Sequence, residues 1–412
     1  MMISREEAER VAARWARDES VRCRATCVPV VDEIAAGWVV RIKKFPEALP
    51  QPGEGVAVID KETGAVSHWP ALSLAYVEQQ HLQHRSIVLR TARTADPSVE
   101  LRRSMRLRPG PTVIAELTLN GRRYLARGAK GDQELQHHPL VRGYLDTVPP
   151  GHLVRGGERH AELIVLSDAL HAMDRERADR GEPPVSEQEA RQLLGTALLE
   201  VMHVREYGDP LDGQPARPCE SCVNALIYFG LLPSSFEAYV QEWRPPLPAE
   251  VPQPGRFPDE VAAALVEGNW GQIHTDDFFV DHLIEETVAV AGATHRHEPF
   301  PAARQALLAF GFVFSGRCGP GRENWIRRLE INPESAAHSA DILGEFGALL
   351  GTRLFPIGSE GMGETIVAVD EAGRIFALDQ AGEWFLGDTI DTALINIITG
   401  GPMARVRDDG TW

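Results

Sequence analysis

The spacing of apolar residues at the start of the chain predicts one helix followed by short strands. Residues 4–19 repeat apolar side chains at helical spacing behind Ser4, which is a favourable cap, and acidic residues occupy the first turn. Apolar and β-branched runs with turn residues between them then follow at residues 27–31, 37–44, 55–60 and 65–69. This pattern predicts a small α+β unit over residues 1–82.

The middle of the chain begins with a predicted β-hairpin. Two β runs, residues 112–119 and 122–128, flank Asn120-Gly121, which is the strongest short signal for such a turn. Beyond the hairpin, the pattern predicts helices at residues 160–173, 186–194 and 219–231, a buried strand at residues 197–204 and an exposed charged insertion at residues 174–187. The predicted order is hairpin, helix, strand, helix.

A proline-rich stretch precedes the last part of the chain. Residues 244–258 hold six prolines in fifteen positions, which predicts a stiff linker. Beyond it, the pattern predicts helices at residues 301–310, 336–350 and 388–398 and strands at residues 325–331, 366–370 and 374–378. The last part is therefore a second small α+β unit.

The length supports several domains, because 412 residues exceed one ordinary domain. We predict an α/β multidomain protein with a central domain between two small α+β domains. The predicted segments are residues 1–82 (first domain), 83–107 (connector), 108–243 (central domain), 244–258 (linker) and 259–412 (last domain).

The composition is typical of a globular protein that does not enter a membrane. Hydrophobic residues make up 43% of the chain and charged residues 25%, and no apolar run approaches the roughly 18 residues of a membrane span. The N-terminus lacks the apolar segment of a signal peptide. Five cysteines, an odd number thinly spread, do not form a disulfide framework. We therefore expect a cytoplasmic protein.

The net charge of −17 is unevenly distributed. Residues 82–160 hold 14 Lys and Arg against 7 Asp and Glu, whereas residues 256–412 hold 11 against 24. The basic side chains could line a path for phosphates or form an ordinary solvated face, and both interpretations stay open. These side chains are Arg102, Arg103, Arg106, Arg108, Arg122, Arg123, Arg127 and Lys130.

The candidate chemistry lies in two short motifs, H-x-E at residues 160–162 and P-C-x-x-C at residues 218–222. One imidazole and two thiolates suit Zn²⁺, so His160, Cys219 and Cys222 are the candidate ligands, and three protein ligands leave a fourth position open. Glu162 follows His160 too closely to be a comfortable ligand and is instead the candidate proton shuttle. A structural zinc or a decayed active site is the alternative.

The paired motifs resemble those of the zinc-dependent nucleobase deaminases. The order hairpin, helix, strand, helix resembles the cytidine deaminase fold, and the 59 positions between His160 and Cys219, with the short tail, resemble the YwqJ-like deaminases of bacterial toxins. The resemblance covers roughly residues 108–240. It implies a central α/β/α domain, Zn²⁺ as cofactor, His160, Cys219 and Cys222 as ligands, and Glu162 as shuttle.

The flanking parts resemble bacterial immunity proteins. Gly37-Trp38-Val39-Val40 and the run from Val58 to Gly64 resemble the YrhB-like family. The strings at residues 300–303, 354–358, 369–375 and 386–390 are similar to the SUKH superfamily. Proteins of these families bind and block toxin domains, so the resemblance implies protein toxins as partners of a toxin/antitoxin system.

Two functions follow. The first is hydrolytic deamination of a nucleobase, of cytosine or adenine type, in a nucleotide or a single-stranded nucleic acid. The alternative is a polyimmunity binding protein whose deaminase domain is inactive or restrained. Proximity to the motifs names candidate substrate-binding residues, which are Asn120, Lys130, His137, His138, Pro218 and Asn224. Of these, Asn224 and the two histidines are more often structural at such positions.

Overall fold

The computed structural model describes residues 3–23, 26–45, 55–62, 64, 66–70, 74–75, 77–79, 81–82, 111–132, 134–206, 208–236, 250–272 and 276–412. The chain forms two compact units, residues 1–108 and residues 109–412. The predicted connector at residues 83–107 lies outside the described residues, as do Arg102, Arg103, Arg106 and Arg108 and residues 244–249 of the predicted linker.

Among its described residues, the first unit contains a long N-terminal helix, a four-stranded antiparallel sheet in the order β1-β2-β3-β4, and helical residues at 74–75, 77–79 and 81–82. Its elements are α1 (Arg5–Cys23), β1 (Thr26–Ile34), β2 (Gly37–Phe45), β3 (Gly55–Asp60) and β4 (Val66–Pro70). The apolar stripe of α1 covers one face of the sheet, where Ala8 and Ala12 lie in one core with Trp38 and Val40. The indole of Trp38 donates to the carbonyl of Ile3 at 3.0 Å, which joins the start of the chain to the sheet.

The middle module is defined here as residues 111–236. Its elements are β5 (Thr112–Leu119), β6 (Arg122–Arg127), α2 (Pro139–Thr147), α3 (Ala161–Asp179), α4 (Glu187–Leu194), β7 (Leu198–Val204) and α5 (Glu220–Tyr228). The described strands form one antiparallel sheet in the order β6-β5-β7. The predicted order of hairpin, helix, strand and helix is present, and α2 is an additional helix that the pattern did not predict.

A strand and a helix form the core of the middle module. Alternate side chains of β5, among them Val113, Ala115 and Leu117, are buried against α3. Leu166 and Leu170 of α3 are almost completely buried in that core. Each such side chain contributes about 1.5–3 kcal/mol through burial. The packing fixes the start of α3 relative to the end of the hairpin.

The predicted insertion at residues 174–187 is only partly an exposed loop. Helix α3 continues to Asp179 because its last turn consists mainly of residues that favour helices, and a loop follows. Asp174 is also not a free surface charge, since its carboxylate contacts His138 Nε2 at 2.9 Å and accepts from the backbone N–H of Val185 at 2.7 Å.

The C-terminal module is defined here as residues 250–412. Its helices are α6 (Asp259–Glu267), α7 (Asp277–Ala289), α8 (Pro301–Phe310), α9 (Ala340–Leu350) and α10 (Ile390–Thr399). Its strands are β8 (Phe314–Ser315), β9 (Leu329–Glu330), β10 (Leu354–Glu360), β11 (Thr365–Asp370), β12 (Ile375–Asp379), β13 (Gly382–Gly387) and β14 (Ala404–Arg405). They form one antiparallel sheet in the order β14-β13-β12-β11-β10-β9-β8.

Both faces of this sheet are covered. Phe355 and Val367 pack on the side of α8 and α10, whereas Ile366 and Phe376 pack with α9 on the other side. The strand predicted at residues 325–331 is too long, because only Leu329–Glu330 pairs in the sheet. Residues before it bond elsewhere: the backbone N–H of Trp325 donates to Leu153 of the middle module at 2.8 Å.

The middle and C-terminal modules belong to the same compact unit, and their contacts cross the region of the candidate ligands. The described residues comprise mixed helices and sheets in several modules, which agrees with the predicted class. Within the described part of the chain, no helix is both long enough and apolar enough to cross a membrane.

Candidate metal centre

The start of α3 positions the first candidate ligand. A short 3₁₀ turn, Gly157–Arg159, ends at His160, whose extended backbone makes it the residue directly before the helix. His160 is buried, and its carbonyl accepts from the N–H groups of Leu163 and Ile164. The backbone of His160, and with it the attachment point of the imidazole ring, is therefore fixed at the N-terminus of α3.

The start of α5 positions the two thiols. Cys219 is the cap residue and has the extended backbone that is usual at this position, and Cys222 lies three residues further on the first turn. Cys219 and Cys222 are both buried. A helix N-terminus favours negative charge, so this position suits thiolates.

The structure brings the three candidate ligands together. His160 Nδ1 lies 3.3 Å from Cys219 Sγ and 3.4 Å from Cys222 Sγ, and the three donor atoms all lie within 4.8 Å of one another. Among the described residues, this is the one group of three or more His, Cys, Asp or Glu side chains that meets this spacing. The group could therefore hold a metal ion.

The electrostatics of the cluster indicate an ionised thiol beside an imidazolium. Burial alone would lower the pKa of His160, but the Cys219 thiolate raises it to about 9. Burial would raise the pKa of Cys219, but Cys222 and the charge of His160 hold it well below the usual thiol value. The hydrogen bond to Cys219 raises the pKa of Cys222. Without a metal ion, the cluster therefore pairs a negative charge on Cys219 with a proton on His160. A bound cation would take the place of that proton.

Glu162 is buried beside the ligands. Its side chain is 1% exposed, and burial raises its pKa to about 7. Its Oε2 atom has no hydrogen-bond partner among the residues that the structure describes. Burying a carboxylate oxygen without a partner is costly, so this atom is suited to contact a group that binds beside the cluster.

Two further side chains fix the segments that carry the ligands. The guanidinium of Arg159 donates to the carbonyls of Ala129 and Gly131 at 2.8 and 2.7 Å, which joins the end of the hairpin to the start of α3. The hydroxyl of Ser221 accepts from the backbone N–H of Val154 at 3.2 Å and lies 3.4 Å from Cys219 Sγ. These contacts fix the N-terminal ends of α3 and α5 relative to the segments around them.

A small cavity opens beside His160 and Cys219. Its volume is about 20 Å³, which exceeds the roughly 10–15 Å³ that one water molecule requires. Its lining from the middle module is Thr112, Val113, His160, His203, Arg205, Arg217 and Cys219, and its lining from the C-terminal module is Arg327, Glu364, Thr365, Asp379 and Gln380.

Three of the predicted substrate-binding residues, Lys130, Pro218 and Asn224, occupy different positions in the middle module. Lys130 is buried, its pKa is lowered by burial, and its Nζ lies 3.8 Å from Glu383 Oε1. Pro218 stands between Arg217 and Cys219 of the lining, and Asn224 is half-buried on α5. None of these three is itself a lining residue.

Asn120 is the predicted residue that the structure does not bring to the site. It is exposed in the hairpin turn with a left-handed φ of 51°. Thr112 lines the cavity at the opposite end of β5. A strand rises about 3.3 Å per residue, so the eight positions from Thr112 to Asn120 span roughly 26 Å.

The two neighbouring histidines make local contacts. His138 Nδ1 accepts from the backbone N–H of Leu140 and caps α2. His137 Nε2 contacts the carbonyl of Glu158 at 2.7 Å. Arg122 and Arg123 also have local roles, because they pair with Glu176 and Glu116 on the surface. That part of the basic block therefore fits a solvated face.

Sequence reasoning missed the residues that the C-terminal module adds to the site, together with Arg155, Arg205 and Ser221. Gln380 occupies a hairpin turn, and a single glutamine in a turn is not part of any sequence motif that indicates a functional site. Arg205 follows β7, and its Nη2 donates to the carbonyl of Gly363 at 2.8 Å. The one available signal was the excess of carboxylates after residue 256 behind a basic middle segment.

Comparison with models of known families finds three matches along the chain. Residues 6–86 match the Immunity protein 35-like domain, residues 100–230 match the YwqJ-like deaminase, and residues 257–400 match the SUKH-3 immunity protein. Among curated proteins and among solved structures, no match is found. The three matches confirm the expected layout of a deaminase-type domain between two immunity-type domains.

Proposed function

We propose that this chain, which joins a YwqJ-like deaminase domain to an Immunity protein 35-like domain and a SUKH-3 domain, is a zinc-dependent hydrolytic deaminase. Its substrate is a nucleobase of cytosine or adenine type in a nucleotide or a single-stranded nucleic acid. The observation that carries the proposal is the buried cluster of His160, Cys219 and Cys222 with Glu162 beside it.

The donor set suits zinc. One imidazole nitrogen and two thiolate sulfurs are ligands that zinc prefers, and three protein ligands are typical of catalytic zinc sites. His160, Cys219 and Cys222 would hold the ion. When bound, zinc supplies Lewis-acid chemistry that makes water a nucleophile near neutral pH.

Glu162 is the proposed proton carrier. Deamination adds water to the ring carbon that bears the amino group, protonates a ring nitrogen, and releases ammonia as a carbonyl forms. The Glu162 carboxylate takes the first proton of water at Oε2 and passes it to the ring nitrogen. It then takes the remaining proton from the hydroxyl group of the adduct and passes it to the departing amine as the carbonyl forms. Burial raises the pKa of Glu162 to about 7, so both protonation states are accessible near neutral pH.

The cations around the cavity support a phosphate-bearing substrate. Arg205 and Arg217 of the middle module line the same cavity as His160. Arg155 and Lys130 are further buried cations in this module. Guanidinium groups bind phosphate in a bidentate manner, which favours a nucleotide or nucleic acid over a free base.

The order of elements supports an arrangement like that of cytidine deaminases. The candidate ligands lie at the N-terminal ends of α3 and α5, and β7 precedes α5 in the chain. We place the deaminase domain at residues 108–243 between domains at residues 1–82 and 259–412, as an α/β/α unit. We expect the protein to act in the cytoplasm.

A polyimmunity binding protein is the second candidate function. The observation that favours it is the closure of the cavity by side chains of the C-terminal module, which belongs to the segment that matches a SUKH-3 immunity protein. In that case the flanking modules bind toxin domains, and the deaminase-type domain is held inactive.

A metal analysis combined with a deamination screen tests the proposal. The purified chain is expected to carry about one zinc per molecule and to release ammonia from at least one of free bases, nucleosides, nucleotides, single-stranded DNA and single-stranded RNA. The screen includes a variant in which the cavity is opened, with Glu162→Gln in the same background as the control. Bound zinc without ammonia release in the opened variant would favour the binding protein instead.

A further inference from the structure

We propose that the C-terminal module is a docking surface for the mouth of the candidate site and that it closes this site in cis. The inference rests on the proposed function for what the site does, whereas the closure itself rests on contacts between the two modules. The docking surface consists of the β12–β13 hairpin, Glu360 at the end of β10, and residues 364–365 at the start of β11.

The size of the cavity shows that a base cannot enter in this arrangement. The cavity beside His160 and Cys219 measures about 20 Å³, which accommodates about one water molecule. A pyrimidine with its substituents is several times larger than water. Side chains of Arg327, Asp379 and Gln380 from the C-terminal module form one wall of this cavity. Entry of a base therefore requires this wall to move.

Gln380 forms the most direct contact with the candidate site. It lies in the turn between β12 and β13, and its Oε1 accepts from the backbone N–H of Ala161 at 3.2 Å. Ala161 is the first residue of α3 and follows the ligand His160. The side chain amide of Gln380 thus occupies a free donor of the helix N-terminus beside the cluster.

The hairpin that carries Gln380 is held in shape by its own carboxylate. Asp379 Oδ1 accepts from the backbone N–H groups of Ala381 and Gly382 at 2.9 and 3.2 Å and from the indole of Trp384 at 3.1 Å. The turn therefore enters the mouth of the site as a preformed shape and loses little conformational entropy on docking.

Two glycines of the middle module allow the hairpin to approach. A methyl group on Gly128 would overlap the backbone carbonyl of Gln380 and lie 2.8 Å from its Cβ. A methyl group on Gly156 would lie 2.6 Å from the Cβ of Ala381 and 2.6 Å from the indole of Trp384. The backbone of the middle module at Gly128 and Gly156 is thus in direct contact with the β12–β13 hairpin.

The charges of the two surfaces are complementary. Arg155 of the middle module, which is 5% exposed, donates to Glu360 Oε2 at 2.8 Å and to Asp379 Oδ2 at 3.2 Å. Lys130 Nζ lies 3.8 Å from Glu383 Oε1. Carboxylates of the C-terminal module therefore neutralise cations of the deaminase-type module that are suited to phosphate.

A second contact between the two modules covers the candidate thiolate ligands. Cys318 and Trp325 of the C-terminal module lie in one buried apolar group with Val154, Cys219 and Cys222. Cys318 Sγ lies 3.4 Å from Glu220 Oε1 at the start of α5. The C-terminal module thus contributes directly to the burial of both candidate thiolate ligands.

The test measures access to the site in the full chain without relying on activity. N-ethylmaleimide modifies exposed thiols, and mass spectrometry gives the rate at each cysteine. Gly128→Ala adds one methyl group against the hairpin, and the backbone at this position does not have a positive φ. Gly143→Ala in α2 is the matched control, because a methyl group there meets no atom within 4 Å.

Closure in cis predicts that Cys219 and Cys222 react roughly tenfold faster or more in Gly128→Ala than in the wild type or in Gly143→Ala. Cys27, which lies in the first unit, is expected to react at one rate in all three and serves as the internal reference. Equal rates at Cys219 and Cys222 in all three proteins, each as fast as in the urea-unfolded chain, would overturn the inference.

A second variant covers the case in which Gly128→Ala does not fold, as judged by circular dichroism. Gln380→Ala removes the hydrogen bond to Ala161 and widens the cavity without adding a clash. It is expected to accelerate modification of Cys219 and Cys222 in the same direction. Unchanged rates in a folded Gln380→Ala chain would count against closure by the hairpin.

Ammonia release from the same proteins separates the two proposals. Faster thiol modification with faster deamination supports both. Faster thiol modification without deamination of any nucleotide or single-stranded nucleic acid supports the docking surface and contradicts the proposed enzyme. If the wild type and the variants deaminate at the same rate and their thiols react equally fast, the docking surface is contradicted and the proposed enzyme is supported.

Discussion

Glu206 in the middle module caps a helix of the C-terminal module through Ile342, whose backbone N–H donates to the Glu206 carboxylate at 2.7 Å. The N–H of Asp341 donates to the other oxygen at 3.0 Å. This contact fixes α9 against the segment that follows β7. It also places a buried carboxylate between the two modules, where its protonation affects how strongly they hold together.

The stability of the second unit is expected to fall as pH rises. Burial is the largest cause that raises the pKa of Glu206, to about 8. The N–H groups of Ile342 and Asp341 lower this pKa, and the carboxylates of Asp341 and Glu345 raise it. The folded chain thus binds this proton more tightly than the unfolded chain, whose carboxyl has a pKa of 4.5. The stabilisation is full at low pH and is lost as pH rises through 8.

Between pH 6 and pH 9, the free energy of unfolding should therefore fall by about 2–3 kcal/mol. Urea titrations of the full chain measure this change. Glu206→Gln keeps an oxygen acceptor for Ile342 but does not titrate, so most of the pH dependence should disappear in that variant. The same slope in both proteins would assign the effect to another group.

Metal content should depend on the two site cysteines and not on a neighbouring one. Cys219→Ala and Cys222→Ala remove a thiolate from a three-ligand site, so bound zinc should fall from about one per chain to near zero. Cys318→Ala is the matched control, since Cys318 lies in the same apolar group but outside the ligand cluster. Atomic absorption after dialysis gives the stoichiometry; equal zinc in all three variants would place the ion elsewhere.

Replacement of the proposed proton carrier should leave metal binding intact. Glu162→Gln keeps the size of a buried side chain and removes only the titrating group, so turnover should fall by about 10²-fold or more while zinc content stays the same. The rates are compared in the Gly128→Ala background, where the site is accessible. Glu158→Gln, at a half-buried acidic residue of the 3₁₀ turn before His160, should keep full activity. Loss of zinc in Glu162→Gln would instead identify Glu162 as a ligand.

Removal of the buried arginine between the modules should destabilise the fold strongly. Arg155→Met leaves the carboxylates of Glu360 and Asp379 buried without their cation, which costs about 3–5 kcal/mol. The exposed pair of Arg304 and Asp277 provides the contrast, since Arg304→Met should cost less than about 1 kcal/mol. Chemical denaturation of both variants measures the difference. Similar small losses would show that Arg155 is hydrated and not held between the modules.

The spacing of short motifs predicted the local parts of the fold and the composition of the site. Asn120-Gly121 identified the hairpin because only a few turn types accept that pair. The grouping of the candidate ligands was predictable because H-x-E and P-C-x-x-C place their side chains at two helix starts, where the structure has His160 and Cys219. Each motif involves neighbouring residues only, although the two motifs lie 59 positions apart in the chain.

The remaining part of the site depends on contacts between distant residues. Gln380 meets Ala161 across 219 positions, and Arg155 meets Asp379 across 224. A glutamine in a turn and an arginine in a loop have no periodicity that pairs them. Asn120 lies at the end of β5 away from the cavity for a related reason, because nearness in sequence along a strand becomes separation in space.

The close approach of Gly128 and Gly156 to the β12–β13 hairpin limits how the two modules can diverge over evolutionary time. Any larger side chain at either glycine demands a compensating change in a turn more than two hundred positions away. Although the modules match two separate family models, they are therefore bound to change together. A gene fusion that joined this deaminase-type domain to an unrelated immunity domain would have to rebuild both surfaces before the pair could pack.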